Sequence, residues 1–237
     1  MLRALDQALG GGVVNTCDVY SGASAGSLVA TMLAAGVTPR EMDDVIVRGA
    51  RNRRNLPVLR RTSIYGLELT PWIAASARLP VHMALGFLRS LLPGESSRPA
   101  DAVFEALRVL PGGVFTNAPL GEFVEEALRA LGLPNTFRGF PRQLLIPAIN
   151  LDTGHRVVFG ESGAQDVPIS TAIRASSAVP LLFAPVRVAH QDFVDGGIER
   201  NLPVDVAVKH GCKLVIAINP MVPIVNDPAA EGSTLRG

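Results

Sequence analysis

Residues 17–36 read CDVYSGASAGSLVATMLAAG, and the fold turns on them. The run CDVY predicts a short buried strand over 17–20. Residues 24–35, SAGSLVATMLAA, are mostly good helix formers and close on Gly36, so they predict a helix. Between the two lies Gly22-Ala23-Ser24-Ala25-Gly26, of the form G-x-S-x-G. A strand, a tight turn of small residues and a helix together present a serine hydroxyl at a helix N-terminus. Backbone N–H groups and the helix dipole favour developing negative charge there. The same pentapeptide also suits a plain strand–helix connector with Ser24 as the N-cap. The motif alone does not choose between the two.

Outward from this unit, strands alternate with helices. Upstream, Leu2, Leu5 and Leu9 share one face of a helix over 2–9, and Gly10 to Gly12 stop it. Downstream, Thr38-Pro39-Arg40-Glu41 is a capping-box start and predicts a helix over 39–50. Residues 51–70 read as irregular. Helices are expected over 71–77, 80–92, 100–109, 119–132, 168–177 and 203–209. Strands are expected over 143–150 and 155–159, in a hairpin over 186–195, and in the apolar run KLVIAI at 213–218. This alternation predicts an α/β fold with a mainly parallel central sheet. The proline- and glycine-rich stretch at 221–237 reads as a loop.

Composition narrows the function classes. The chain has 237 residues, 48% of them hydrophobic and 18% charged, with a formal net charge of +1. Its mean hydropathy is +0.29. A chain this apolar and this near neutral is not disordered. It also lacks the surplus of basic groups that phosphate binding needs, so nucleic acid is not an expected partner. Cys17 and Cys212 are far apart and each precedes an apolar run, which predicts two buried free thiols. No Cys/His cluster has the spacing of a zinc site. No apolar run reaches the ~18–20 residues of a membrane span. The N-terminus, MLRALDQALGGG, has no apolar signal core. The expected location is cytoplasmic, with peripheral contact at a membrane.

A reactive serine needs a group to accept its proton. The four histidines each have an ordinary surface or capping role open to them. His82 lies in an amphipathic run, His155 beside a turn, His190 in a hairpin turn, and His210 at a helix end. Phe193-Val194-Asp195-Gly196-Gly197 offers a carboxylate instead. Asp195 ends an apolar strand, and strand ends are where sites gather in open α/β sheets. The two glycines leave room beside it. An ordinary Asp-Gly turn remains an equally good reading of those residues.

Together, GASAG and DGG resemble the patatin-like phospholipase family. LRALD at 2–6, the stretch 17–36, TAIRASSAVPLLFAPV at 171–186 and FVDGGIERNLPVDVAVKHGCKLVIAIN at 193–219 extend the resemblance in the family's order. It implies a three-layer α/β/α sandwich, spanning 1–220 with a variable helical insertion at about 50–115. It implies a serine–aspartate dyad of Ser24 as nucleophile and Asp195 as base. Gly22, Ala25, Gly26, Gly196 and Gly197 would shape the site. No metal or organic cofactor is implied. The expected substrate is a phospholipid or other acyl-ester lipid, released as a fatty acid from a Ser24 acyl-enzyme. A general carboxylesterase or thioesterase with the same dyad is the alternative activity. A catalytically impaired, lipid-binding protein is the alternative class.

The resemblance also implies a glycine-rich oxyanion loop between a first strand and the first helix. Gly10 to Gly12 follow the first helix and do not match it, so the strand and loop are expected upstream of Met1. Two features suit an interfacial enzyme. Arg48, Arg51, Arg53, Arg54, Arg60 and Arg61 form a basic cluster that could meet anionic headgroups, or simply face solvent. Residues 79–92 could lie against a bilayer, or pack on the domain.

Overall fold

The computed structural model describes residues 1–50, 54–67, 113–199 and 202–220. The helices expected over 71–77, 80–92 and 100–109 and the loop-like end at 221–237 lie outside them, as do Arg51, Arg53 and His82. In chain order the elements are α1 (Leu2–Ala8), β1 (Val19–Ser21), α2 (Ala25–Ala34), α3 (Pro39–Met42), β2 (Gly66–Leu67), β3 (Gly113–Thr116), α4 (Ala118–Ala130), β4 (Gln143–Asn150), β5 (Arg156–Phe159), α5 (Ile169–Ser176), β6 (Leu181–Phe183), β7 (Val186–Val188), β8 (Gln191–Asp195) and α6 (Val204–Lys209). Short 3-10 turns sit at Val13–Asn15, Arg61–Ser63 and Gly196–Ile198.

The architecture is α/β, as the alternation predicts, and its sheet is mixed. Five strands form one sheet in the order β1-β4-β8-β7, with β5 also on β4. β1 runs parallel to β4, whereas β5 and β8 run antiparallel to it. β2, β3 and β6 form a smaller sheet. β4 is central because its sequence, QLLIPAIN, is apolar without alternation, as a strand covered on both faces must be. Leu144, Leu145, Ile146, Pro147 and Ala148 are all buried. α2 packs on β1 and β4; α5 packs on β4, β7 and β8; α4 packs on α5. α4 buries Leu120, Phe123, Val124, Ala127 and Leu128, a 3.6-residue stripe that faces the core while Glu122, Glu125 and Glu126 stay outside.

The two edges of β4 have different neighbours. Carbonyl and N–H groups of a strand alternate between its edges. Those of the odd-numbered residues meet β1 and β8: Gln143 N–H donates to the Asp18 carbonyl at 3.2 Å, the Leu145 carbonyl accepts from Gly22 N–H at 3.3 Å, and Leu151 N–H donates to the Asp192 carbonyl at 2.8 Å. The even-numbered residues face β5, as Asn150 N–H to the His155 carbonyl shows at 2.9 Å. β1 pairs with β4 only as far as Leu145, and β8 only from Ala148 onward. The C-terminal ends of β1 and β8 therefore approach each other across a short interval of β4, at Ile146 and Pro147.

Several expectations need correction. The helix expected over 39–50 is α3 followed by a π-helical turn at Asp43–Val47; its capping box, Thr38 with Glu41, is present as read. Residues 213–218 are not a strand. No described strand pairs with them, and Leu214 is 81% exposed, so apolar content alone did not secure a ladder partner. Leu214's exposure also removes the burial the pattern implied. Cys17 and Cys212 are free as expected, but half-buried rather than buried. The strand expected over 17–20 is β1, shifted toward the turn. Gly10, Gly11 and Gly12 all have positive φ and end α1, the stop the sequence predicts.

Candidate active site

Ser24 and Asp195 come from opposite sides of the interval on β4. Ser24 follows β1 by three residues. Its φ of 53° and ψ of −131° lie outside the regions that a side chain tolerates freely, a strain of about 1–3 kcal/mol. Several bonds hold it. Ser24 N–H donates both to the Ser176 carbonyl and to the Ser176 hydroxyl, each at 3.1 Å. Gly26 N–H donates to the Ala23 carbonyl at 2.8 Å, Ser27 N–H to the Ser24 carbonyl at 2.9 Å, and the Ser27 hydroxyl to that same carbonyl. Gly22 is obligatory here, because a Cβ on it would lie 2.1 Å from the Gly26 carbonyl oxygen. Gly26 itself has open space around its Cα, so sterics do not require a glycine there. Ala25 and Gly26 are exposed at the start of α2, and Ser24 is half-buried.

Asp195 is the last residue of β8 and is 4% exposed. Its N–H donates to the Ala178 carbonyl at 3.0 Å. One carboxylate oxygen accepts Gly197 N–H at 2.7 Å. Gly196 passes so close to β4 that a Cβ on it would lie 2.3 Å from the Pro147 carbonyl oxygen. Burial raises the Asp195 carboxyl above its ordinary value; hydrogen bonds from the Ser24 side chain and from Gly197 N–H work the other way without cancelling it. The structure thus brings a strained, half-buried serine hydroxyl against a buried carboxyl of raised pKa. A general base poised this way can take a proton more readily than an exposed aspartate.

The described histidines stand elsewhere. His155 contacts the Thr153 carbonyl through Nδ1 at 3.0 Å. His210 lies between Gln143 and Glu161, at 3.0 Å from each. His190 is exposed in the β7–β8 turn. Of the basic cluster, Arg48 pairs with Asp43 and Asp44, and Arg54 with Glu41. Those arginines brace α3 and the π-turn. Among the described residues no group of His, Cys, Asp and Glu side chains could hold a metal ion, and no helix is long and apolar enough to cross a membrane.

Two residues near the site escaped the sequence reading. Pro147 sits inside a central strand, where proline is usually excluded, and Ser176 ends α5 fully buried. The signal for Pro147 was present, as a proline inside an otherwise apolar strand run. Nothing in ASSA distinguishes Ser176 from Ser177.

Comparison with known proteins shows what the chain is similar to. The sequence model described as Patatin-like phospholipase matches residues 1–208. A "Probable lipid hydrolase 463L" of Invertebrate iridescent virus 6 is 24% identical over 105 residues, covering 42% of this chain and 36% of its own. A "cGAMP-activated phospholipase" of Escherichia coli (strain TW11681) is 29% identical over 144 residues, covering 51% of this chain and 38% of its own. The matches therefore span little more than a third of those relatives' lengths. Among solved structures, VipD from Legionella pneumophila superposes with a TM-score of 0.38 at 16% identity, covering 83% of this chain and 43% of that one.

Proposed function

The chain belongs to the patatin-like phospholipase family, and from that premise we propose that it hydrolyses acyl esters of lipids with Ser24 as nucleophile and Asp195 as base. The observation that supports this most is the meeting of a strained Ser24 backbone just beyond β1 with a buried Asp195 carboxyl at the end of β8, where the Ser24 side chain acts to lower the carboxyl's pKa against burial. In the first step the Asp195 carboxylate takes the Ser24 proton as Oγ attacks the ester carbonyl. A tetrahedral intermediate forms, with its negative charge on the former carbonyl oxygen. Collapse breaks the bond to the alcohol, which leaves with the proton held on Asp195, and an acyl group stays on Ser24. Water then attacks the acyl-enzyme. Asp195 takes the water's proton and returns it to Ser24 as the fatty acid departs.

The exposed start of α2 suits the oxyanion. The first N–H groups of a helix have no partner within it, and the N–H after the nucleophile is a usual oxyanion donor in such elbows. Here that group belongs to Ala25. Each donor aimed at such an oxygen is worth roughly 10²–10³ in turnover. The substrate is proposed to be a phospholipid or related acyl-ester lipid. The test compares wild-type and Ser24→Ala protein on phosphatidylcholine vesicles, measuring fatty acid release. Release by wild type that falls to the blank rate in Ser24→Ala is expected. Equal release by both would overturn the proposal.

A further inference from the structure

The end of α5 holds both halves of the site. The carbonyls at and just past its C-terminus have no acceptor role inside the helix, and two of them, one on the last helical residue and one two residues beyond it, are used elsewhere. The Ser176 carbonyl accepts Ser24 N–H at 3.1 Å, and the Ala178 carbonyl accepts Asp195 N–H at 3.0 Å. Residues 176–178 thus join the backbone of the serine to that of the aspartate across the interval between β1 and β8. The Ser176 side chain adds a third tie. Its hydroxyl donates to the Pro147 carbonyl at 2.6 Å while accepting Ser24 N–H at 3.1 Å.

The Pro147 carbonyl is the one that odd-numbered alternation turns into the interval, where neither β1 nor β8 pairs with β4. A strand carbonyl in that position needs a donor, and the Ser176 hydroxyl supplies it. Proline fits the same position because it has no N–H to leave unpaired there. Pro147 and Ser176 are therefore a matched pair. One closes the interval on β4, and the other converts that closure into a fixed position for the Ser24 backbone.

We infer that Ser176 is a positioning residue, which sets the distance and angle between Ser24 and Asp195 by tying the serine's strained backbone to the Pro147 carbonyl. It touches no substrate and transfers no proton. Its hydroxyl acts through Ser24. Misplacing a reacting group by about 1 Å can lower turnover by roughly 10²-fold. The inference rests on the Ser24–Asp195 reading above.

The test measures hydrolysis of p-nitrophenyl butyrate from pH 4 to pH 9 by the full chain, with thermal unfolding followed alongside. Ser170→Ala is the control. Ser170 is on the same helix and equally buried, but its hydroxyl bonds to Glu125 and Asn135. Ser176→Ala is expected to lower kcat about 10–100-fold with KM within twofold of wild type. Its acid limb is expected to move to higher pH, because a displaced Ser24 hydroxyl no longer supports the carboxylate. Ser170→Ala is expected to lower Tm but leave kcat and the acid limb unchanged. If Ser176→Ala does not fold, Ser176→Cys keeps the volume and weakens the donor, and the same quantities are read on it. A Ser176 variant that behaves like Ser170→Ala, losing only Tm, would overturn the inference alone. Ester hydrolysis that survives in Ser24→Ala would overturn the dyad reading and the inference with it.

Discussion

In the proposed mechanism Asp195 serves chemistry at the expense of stability. Its folded pKa is raised, so the folded protein holds that proton more tightly than the unfolded chain, whose aspartates titrate near about 3.9. The linkage sign follows directly. Stability from this group is full below the unfolded value and falls as pH rises through the raised folded value. Asp195→Asn removes that cost, and the amide oxygen can still accept Gly197 N–H. The variant should lose turnover, yet at pH 7–8 its Tm should equal or exceed that of wild type. The difference should shrink toward pH 4. Thermal scans at both pH values, beside an esterase assay, check this. Both proposed reacting residues were legible in the sequence, because each is marked by glycines that the close approach of backbones demands. At Gly22 and Gly196 the structure gives that demand a distance. Ser176 was not legible, since its role depends on a carbonyl 29 residues away that only the sheet register brings near.

β4 is the element that organises the site. One of its edges changes partner from β1 to β8, and the proposed nucleophile and base sit at the two strand ends that face the change. A proline in a central strand ordinarily weakens it. At Pro147 the missing N–H is an advantage, because alanine would direct an unpaired donor into a buried interval. Pro147→Ala is therefore expected to destabilise the protein by about 1–3 kcal/mol, the cost of a buried unsatisfied group. Urea unfolding checks it, and an unchanged midpoint would contradict the account of the interval. The apolar run of β4 made the strand easy to read from sequence. The change of partner was not readable, because hydrophobic pattern reports burial and not which neighbour provides it. The run at 213–218 teaches the same lesson in reverse. KLVIAI has the composition of a buried strand, but among the described strands it has no partner, and Leu214 lies in solvent.

At the scale of the whole molecule, α6 is tied to the sheet by charge. Arg156 at the start of β5 pairs with Asp205, and Glu161 just beyond β5 takes Lys209 at 3.0 Å and His210 at 3.0 Å. Gln143 at the start of β4 reaches the other His210 nitrogen. Burial acts to raise the Glu161 carboxyl, but hydrogen bonds from His210 and Lys209 outweigh it, and the carboxyl sits below its ordinary value. A depressed carboxyl contributes stability above its unfolded pKa, near about 4.3, and loses it as pH falls through the lower folded value. Glu161→Gln is expected to lower stability at pH 7 by about 1 kcal/mol, with the difference closing below pH 4. Denaturant unfolding at pH 7 and pH 3.5 checks it. The class of this assembly, strands alternating with helices around an apolar sheet, could be read from the sequence because α/β layers impose that order. The clamp could not, since Glu161 and His210 are 49 residues apart and each looks like an ordinary surface group.

The proposed mechanism makes Ser24 a nucleophile activated by Asp195. A fluorophosphonate forms a covalent bond with an activated serine and spares ordinary ones. Wild-type protein and Asp195→Asn are treated with it at pH 7.5, digested, and mapped by mass spectrometry. A single adduct is expected on the peptide containing Ser24 in wild type, with at least a tenfold slower reaction in Asp195→Asn. Labelling on another serine, or an equal rate of Ser24 labelling in the two proteins, would contradict it.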